Sequence, residues 1–226
     1  MRTGQRLRRV GGWLLLASAG VAARAVGHWY PGPALAGLVA LALAGVVIVL
    51  IGRWRAIRRM MGWSADAGWS AVGRTARDWP WQGLLLEGEV QVDRAWTGER
   101  DGLAITAGQT RWSGRALAGA VPAGRGKGVF VVVQLPLPVP GMAMRFPYRF
   151  IGDSHRLESP ALGDAFRNGE IPPWTVTGDQ LFTVEEHLGW TTPEAMELAI
   201  GRALRVVRLL DLGPDVSTSP TSDVSS

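Results

Sequence analysis

The chain has no cysteine among its 226 residues, which excludes a disulfide framework and any metal site built on thiolates. Its three histidines are widely separated and do not follow a metal-ligand spacing. A Gly-x-Ser-x-Gly nucleophile elbow is missing, and the glycine-rich stretch at 124–128 lacks the Ser or Thr of a phosphate-binding loop. Because these common reaction centres are absent, we expect no metal and no cofactor, and we favour a non-enzymatic function.

Acidic residues are absent from the first 63 positions, which contain nine arginines. The remaining residues carry fifteen basic and nineteen acidic side chains, so the net charge of +5 divides into +9 and −4. A nucleic-acid-binding protein would instead concentrate basic residues on its folded domain. The distribution of charge therefore argues against nucleic acid as a partner and associates the arginines with a membrane.

An uninterrupted apolar run extends from Ala34 to Ile51, and its 18 residues are all Leu, Ile, Val, Ala or Gly. As a helix this run is about 27 Å long, close to the thickness of the hydrocarbon core of a bilayer. A buried helix of a soluble protein rarely needs so long an apolar run. The run therefore predicts a transmembrane helix.

A second apolar segment precedes this helix. Residues 10–23 are apolar apart from Ser18, and counting through to Trp29 gives 20 residues, with Arg24 near the end, where its head can reach the interface. The two segments together predict a transmembrane hairpin. The alternative is a cleaved signal peptide, because residues 23–25 form a small-x-small cleavage site.

Arginines precede the first apolar segment and follow the second, whereas the connection at 27–33 has no Lys or Arg. The positive-inside rule then predicts a multi-pass protein of the inner (plasma) membrane with both termini cytoplasmic. The face formed by Trp54, Ile57 and Met61 is typical of a helix end lying on an anionic leaflet, whose lipid is a predicted partner. The predicted membrane-interface residues are Trp13, Trp29, Trp54, Arg53, Arg55, Arg58 and Arg59.

Beyond the membrane segments the sequence pattern predicts short strands and turns. Polar and apolar residues alternate within 84–96, a turn is expected at 98–102, and 103–112 forms the returning strand. Val129–Val133 is apolar on both faces, which is typical of a central strand, and the three prolines of Leu135–Pro140 are expected to end it. Residues 142–151 predict a further strand.

The last part of the chain predicts a short helix at 161–168 and a second hairpin around Gly178-Asp179. The C-terminal helix has Thr192 as its N-cap and Pro193 at its first position, and Gly213-Pro214 is expected to end it. Its apolar face consists of Met196, Ile200, Ala203, Val207 and Leu210.

The sequence therefore predicts an α+β protein in three parts. Residues 1–61 form the transmembrane hairpin with basic flanks, and residues 62–213 form a cytoplasmic domain with a mainly antiparallel sheet and a packed C-terminal helix. Residues 214–226, rich in serine and threonine, form a disordered tail.

Two groups of side chains are candidates for function. Trp79 and Trp81 flank a proline and are either an exposed partner-binding platform or a packing plug. Glu87, Glu89 and Asp93 alternate along a strand and share a face, where they form either a carboxylate-based hydrolytic site or an ordinary solvated surface.

Three features occur here in one order: Gly68-Trp69, the proline-rich stretch 135–140, and Trp174-Thr-Val-x-Gly-Asp-x-Leu181. Together they resemble a group of actinobacterial membrane-anchored proteins of unknown function, over roughly residues 62–213. The resemblance implies one compact α+β domain behind an anchor, and it implies no activity, cofactor or catalytic residue.

The functional expectation is a membrane-tethered module that binds a protein or lipid partner at the inner leaflet. The alternative is a membrane-anchored hydrolase that uses carboxylates.

Overall fold

The computed structural model describes residues 32–73, 79–82, 87–114, 117, 119–121, 124–187, 189 and 191–214. The chain divides into two compact units, residues 1–55 and 56–226. The first predicted membrane segment, with Trp13 and Trp29, lies outside the described residues, and so does the tail from 215 onwards. The hairpin and the disordered tail therefore remain predictions.

Helix α1 extends from Gly32 to Asp66. Its portion from Gly37 onwards has a mean hydropathy of 2.2 in its most apolar 18-residue window, and none of that window is buried. A core helix of a soluble protein would bury such side chains, whereas a lipid-facing helix leaves them exposed. Within the described part of the chain, α1 is the one helix long and apolar enough to cross a bilayer.

The second unit is built on an antiparallel sheet. Its strands are β1 (Ser70–Val72), β2 (Gly88–Arg100), β3 (Leu103–Gly114), β4 (Arg125–Arg145), β5 (Arg149–Ile151) and β6 (Trp174–Glu186). They pair in the order β1-β2-β3-β4-β5, and β6 pairs with β4 along its other edge. With helices α2 (Pro160–Arg167) and α3 (Pro193–Leu209), this confirms the predicted α+β class and the short helix.

Strand β2 continues to Arg100, into the range 98–102 where the turn is predicted. The turn is narrower, at Asp101 and Gly102, whose φ angles of 53° and 71° suit a two-residue hairpin connection. Gly98 is a residue of β2, and Trp69 packs directly on it. A Cβ at this position would lie 2.7 Å from the Trp69 ring. A glycine is therefore required here to make room for a core side chain, and it does not form a turn.

The prediction that the prolines end the central strand is wrong. Strand β4 continues through them to Arg145, and its register with β6 shifts between Gln134 and Val139 and again before Met142. More residues of β4 than of β6 lie between the paired positions, so the prolines occupy a bulge where missing N–H groups break no ladder bond.

The predicted hairpin around Gly178-Asp179 is also wrong, because β6 is one strand. Gly178 has a φ of 60° and pairs with Val139 inside the bulged region. A glycine is needed there because a side chain at this φ would be strained. The predicted strand at 142–151 is divided between the end of β4 and the short β5, with a turn at 146–148.

Both faces of the sheet are buried. Val129, Val131 and Val133 of β4 belong to the core that includes α3, and Phe130 and Val132 belong to a second cluster on the other face. The predicted central position of this strand is thus confirmed, since parallel or central strands buried on both faces are continuously apolar.

Helix α3 begins as predicted, with the Thr192 hydroxyl accepting a hydrogen bond from the Ala195 N–H at 3.3 Å. Its end differs from the prediction. Asp211, with a φ of 51°, takes the left-handed position, and the Leu212 N–H donates to the Val207 carbonyl at 3.0 Å. The helix therefore closes in a Schellman motif before Gly213 is reached.

We predict that Ile200→Asp will lower the free energy of unfolding by about 3–5 kcal/mol, because an unpaired carboxylate would replace a fully buried side chain. The measurement is thermal unfolding of the full chain in detergent micelles, followed by circular dichroism. Leu198→Asp is the matched control on the same helix, since Leu198 is 63% exposed. Equal melting temperatures for the two variants would contradict the proposed buried face.

Candidate functional site

The last turns of α1 belong to the folded domain. Met60 is buried in its core, and Trp63 is partly buried against it, whereas Trp54 and Met61 are exposed. Ile57 is partly buried, so the predicted lipid-facing stripe of Trp54, Ile57 and Met61 stays a prediction. The arginines predicted for the interface are all exposed on this helix: Arg53, Arg55, Arg58 and Arg59.

A polar network connects this helix end to the rest of the domain. The Trp63 indole N–H donates to Glu197 Oε1 of α3 at 2.8 Å, and Arg100 of β2 donates to both oxygens of the same carboxylate at 2.8 and 3.2 Å. Burial alone would raise the pKa of Glu197, but the hydrogen bonds from Arg100 and Trp63 outweigh it, and the pKa lies below its ordinary value. The carboxylate is thus held ionised between three elements.

The two predicted partner-binding tryptophans are stacked on each other, with ring centroids 5.1 Å apart and an interplanar angle of 4°. Trp81 is only 2% exposed and packs edge-to-face against Phe130 and Phe182, so it covers the second face of the sheet. Of the two alternatives that the sequence leaves open, Trp81 fits the packing plug. Trp79 is partly exposed and borders a polar cleft of about 360 Å³ with Gln134 and Gln180.

The three carboxylates along β2 differ in their surroundings. A bulge after Val92 alters their alternation, and Asp93 accepts hydrogen bonds from the Arg111 guanidinium at 2.5 and 2.7 Å. Both oxygens of the Asp93 carboxylate are therefore already bound by a cationic side chain. Glu87 and Glu89 are exposed, and the described residues contain no cluster of metal-ligand side chains.

A further candidate site is a pocket of about 610 Å³ that sequence reasoning missed. It is bordered by the turn before β5, by α2, by the loop before β6 and by the end of β6. Its apolar wall consists chiefly of Val121, Phe146, Tyr148, Phe166, Ile171 and Val184. We refer to it as the aromatic pocket. Its volume and composition are typical of ligand sites.

The bend in the β4–β6 ribbon assembles this pocket. Arg202 of α3 donates to the Gly169 carbonyl, before β6, at 2.8 Å and also pairs with Glu185, near the end of β6. Gly169 lies five residues before β6. If β6 were straight, its two ends would be about 40 Å apart, which is more than those five residues and one side chain can span. The bulge opposite Gly178 therefore brings together residues that are distant along the strand.

The rings at the mouth of the pocket contact one another. The centroid of Phe166 is 6.2 Å from that of Phe146 and 5.7 Å from that of Tyr148. Gly163 of α2 allows this arrangement, because a Cβ at that position would lie 2.6 Å from the Tyr148 hydroxyl. Phe146 and Tyr148 remain 41% and 46% exposed, so the mouth presents apolar surface to a ligand.

The charged side chains of the pocket balance one another. Glu185 and Glu186 are matched by Arg167 and Arg202. Burial raises the pKa of Glu185, while the charge of Arg202 opposes the shift. The pairing of Arg202 with Glu185 depends on the bend and has no local signal in the sequence.

Comparisons with protein-family models, with curated proteins and with solved structures found no match. The geometry of the pocket and of the membrane helix therefore carries the functional argument.

We predict that Glu197→Gln will destabilise the full chain by about 1 kcal/mol at pH 7, because it weakens charge-assisted hydrogen bonds that are partly exposed to solvent. Since the pKa of Glu197 is lowered in the folded state, its contribution is present above its unfolded pKa and is lost as the pH falls through the folded value. The difference in melting temperature between wild type and variant should therefore shrink below about pH 4.5.

The matched control is Glu158→Gln, an exposed carboxylate outside this network, which should leave the melting temperature unchanged at both pH values. A Glu197→Gln difference that stays constant from pH 7 to pH 3 would show that ionisation of Glu197 does not support the junction.

Proposed function

We propose that this chain is a multi-pass plasma-membrane protein, with both termini cytoplasmic, whose α+β domain is a non-enzymatic module that binds a protein partner in the aromatic pocket. The observation that carries the proposal is the pocket itself, which joins partly exposed aromatic rings to a charged rim on the domain that follows a membrane helix.

The balance of charge favours a protein over an anionic lipid as the occupant of the pocket. Recognition of anionic headgroups uses clusters of several basic residues without acidic neighbours, whereas here two glutamates accompany two arginines. A pocket that is lined by aromatic side chains and has charges of both signs at its rim is typical of sites that receive an apolar anchor residue of a partner protein. Anionic lipid is instead the proposed partner of the exposed arginines at 53–59.

The arrangement of carboxylates supports binding over hydrolysis. Asp93 is neutralised by Arg111, and the carboxyl with a raised pKa, Glu185, is paired with Arg202. Hydrolysis of a glycosidic bond by two carboxyl groups, for example, needs one protonated and one ionised group flanking that bond. The proposal therefore assigns the pocket to recognition.

The proposed topology is tested by fusing reporters after Ser226 in living cells. A reporter that is active only in the cytoplasm should be active there, because the arginines flanking the membrane segments hold both termini inside. A periplasmic reporter at the same position should be inactive. The reverse pattern would refute the cytoplasmic assignment, and the mass of the purified protein would show whether the first segment is cleaved.

The proposed partner is tested by placing a photo-reactive phenylalanine at position 148 of the full chain in its own host. We expect cross-links to a defined protein, because the Tyr148 ring lies at the mouth of the pocket. Phe146→Ala should reduce the yield of this cross-link by about tenfold, in keeping with the loss of one anchor contact.

Position 198 provides the control, since Leu198 is more exposed than Tyr148 but lies outside the pocket. If the probe at 198 captures the same protein with the same yield, or if the probe at 148 captures lipid alone, the pocket is not a protein-binding site.

A further inference from the structure

Arg145, the last residue of β4, carries a charge that is almost completely removed from water. Only 7% of the residue is exposed. Gly119 lies over its aliphatic stem, 3.5 Å separating the Cδ atom from the position that a Cβ of Gly119 would take. Burial lowers the pKa of the guanidinium to about 10. A charge in such a position normally has an ionised partner.

No such partner exists among the described residues. Their ion pairs do not include Arg145, and its hydrogen bonds all come from one nitrogen. Nη1 donates to the Trp174 carbonyl at 3.1 Å and to the Thr175 hydroxyl. These neutral acceptors orient the guanidinium, but they leave its charge without an ionised partner that would offset part of the desolvation cost.

The unused donors of Arg145 lie along one edge of the guanidinium. Nε and Nη2 form no hydrogen bond with the described residues, and neither belongs to the fully buried unpartnered atoms, which are in Trp174, Thr183 and Glu185. The small exposed fraction of the residue therefore includes this edge. The parallel N–H groups of Nε and Nη2 match the two oxygens of a carboxylate or a phosphate.

We propose that the Nε–Nη2 edge of Arg145 binds one oxyanion group, a carboxylate or a phosphate. Trp174 and Thr175 fix the opposite side of the guanidinium, so the binding edge is oriented before the ligand arrives. Arg145 is not among the residues that line the aromatic pocket, although the next residue, Phe146, is, and the proposal does not depend on the proposed protein partner.

The test is thermal unfolding of the full chain in maltoside micelles, which contain no phosphate, with inorganic phosphate or acetate added at constant ionic strength. At least one of the two anions should raise the melting temperature with saturation, and Arg145→Met should weaken this effect at least tenfold. The control is Arg149→Met, an exposed arginine that pairs with Arg145 across the hairpin, which should change the apparent affinity less than twofold.

A lipid headgroup and a soluble anion are distinguished by repeating the titration in phosphatidylglycerol nanodiscs. If the headgroup occupies the site, added phosphate will have no further effect there. If a soluble anion occupies it, the stabilisation will persist. The first result assigns the oxyanion to a lipid and the second to a solute, and both retain the site.

A second measurement applies if Arg145→Met fails to fold. In wild-type protein labelled with ¹⁵N-arginine, the Nε–H resonance that disappears in Arg145→Lys identifies Arg145, and the anion should shift it over the same concentration range. The proposal is wrong if neither anion stabilises the wild-type protein saturably. It is also wrong if this resonance is unchanged at concentrations where stabilisation is complete.

Discussion

The domain depends on the pairing of β4 on both of its edges and the burial of both of its faces. One edge holds β3 along its first half and β5 at its end, and the other edge holds β6 throughout. Because Val131 and Phe130 point to opposite cores, removing this strand would expose both. The bulge at the prolines bends β4 in its middle, so that its two halves run in different directions. The aromatic pocket is a consequence of that bend.

Features specified by neighbouring residues could be predicted from the sequence. The apolar run of α1, the Thr192 N-cap and the apolar Val129–Val133 segment each need only a few adjacent residues to be recognised. Features that depend on residues distant in the sequence could not be predicted. The bulge through Leu135–Pro140 is visible only once β6 supplies the register, and Asp211 replaces the expected glycine because the Schellman closure tolerates an aspartate in the left-handed region.

The candidate sites show the same division. Trp79 and Trp81 are conspicuous in the sequence, but only the contact of Trp81 with Phe130, 49 positions away, decides that it is a core residue. The pocket draws on five separate segments, none with a recognisable motif. Arg145 stands among Met144 and Phe146 as an ordinary basic residue of a strand end, and its isolation from every carboxylate among the described residues becomes evident only when the neighbouring elements are in place.

In the proposed topology, a membrane anchor lowers the affinity that the pocket itself must supply. A pocket that receives one apolar anchor residue supplies only part of the free energy of a stable complex, since association itself costs several kcal/mol in lost translational and rotational freedom. For a partner held at the same membrane, this confinement raises the effective concentration, so that a weak contact suffices. The polar network of Trp63, Glu197 and Arg100 holds the last turns of α1 against the core of the same domain. The anchor then limits where the pocket meets its partner, and the pocket determines which partner is retained.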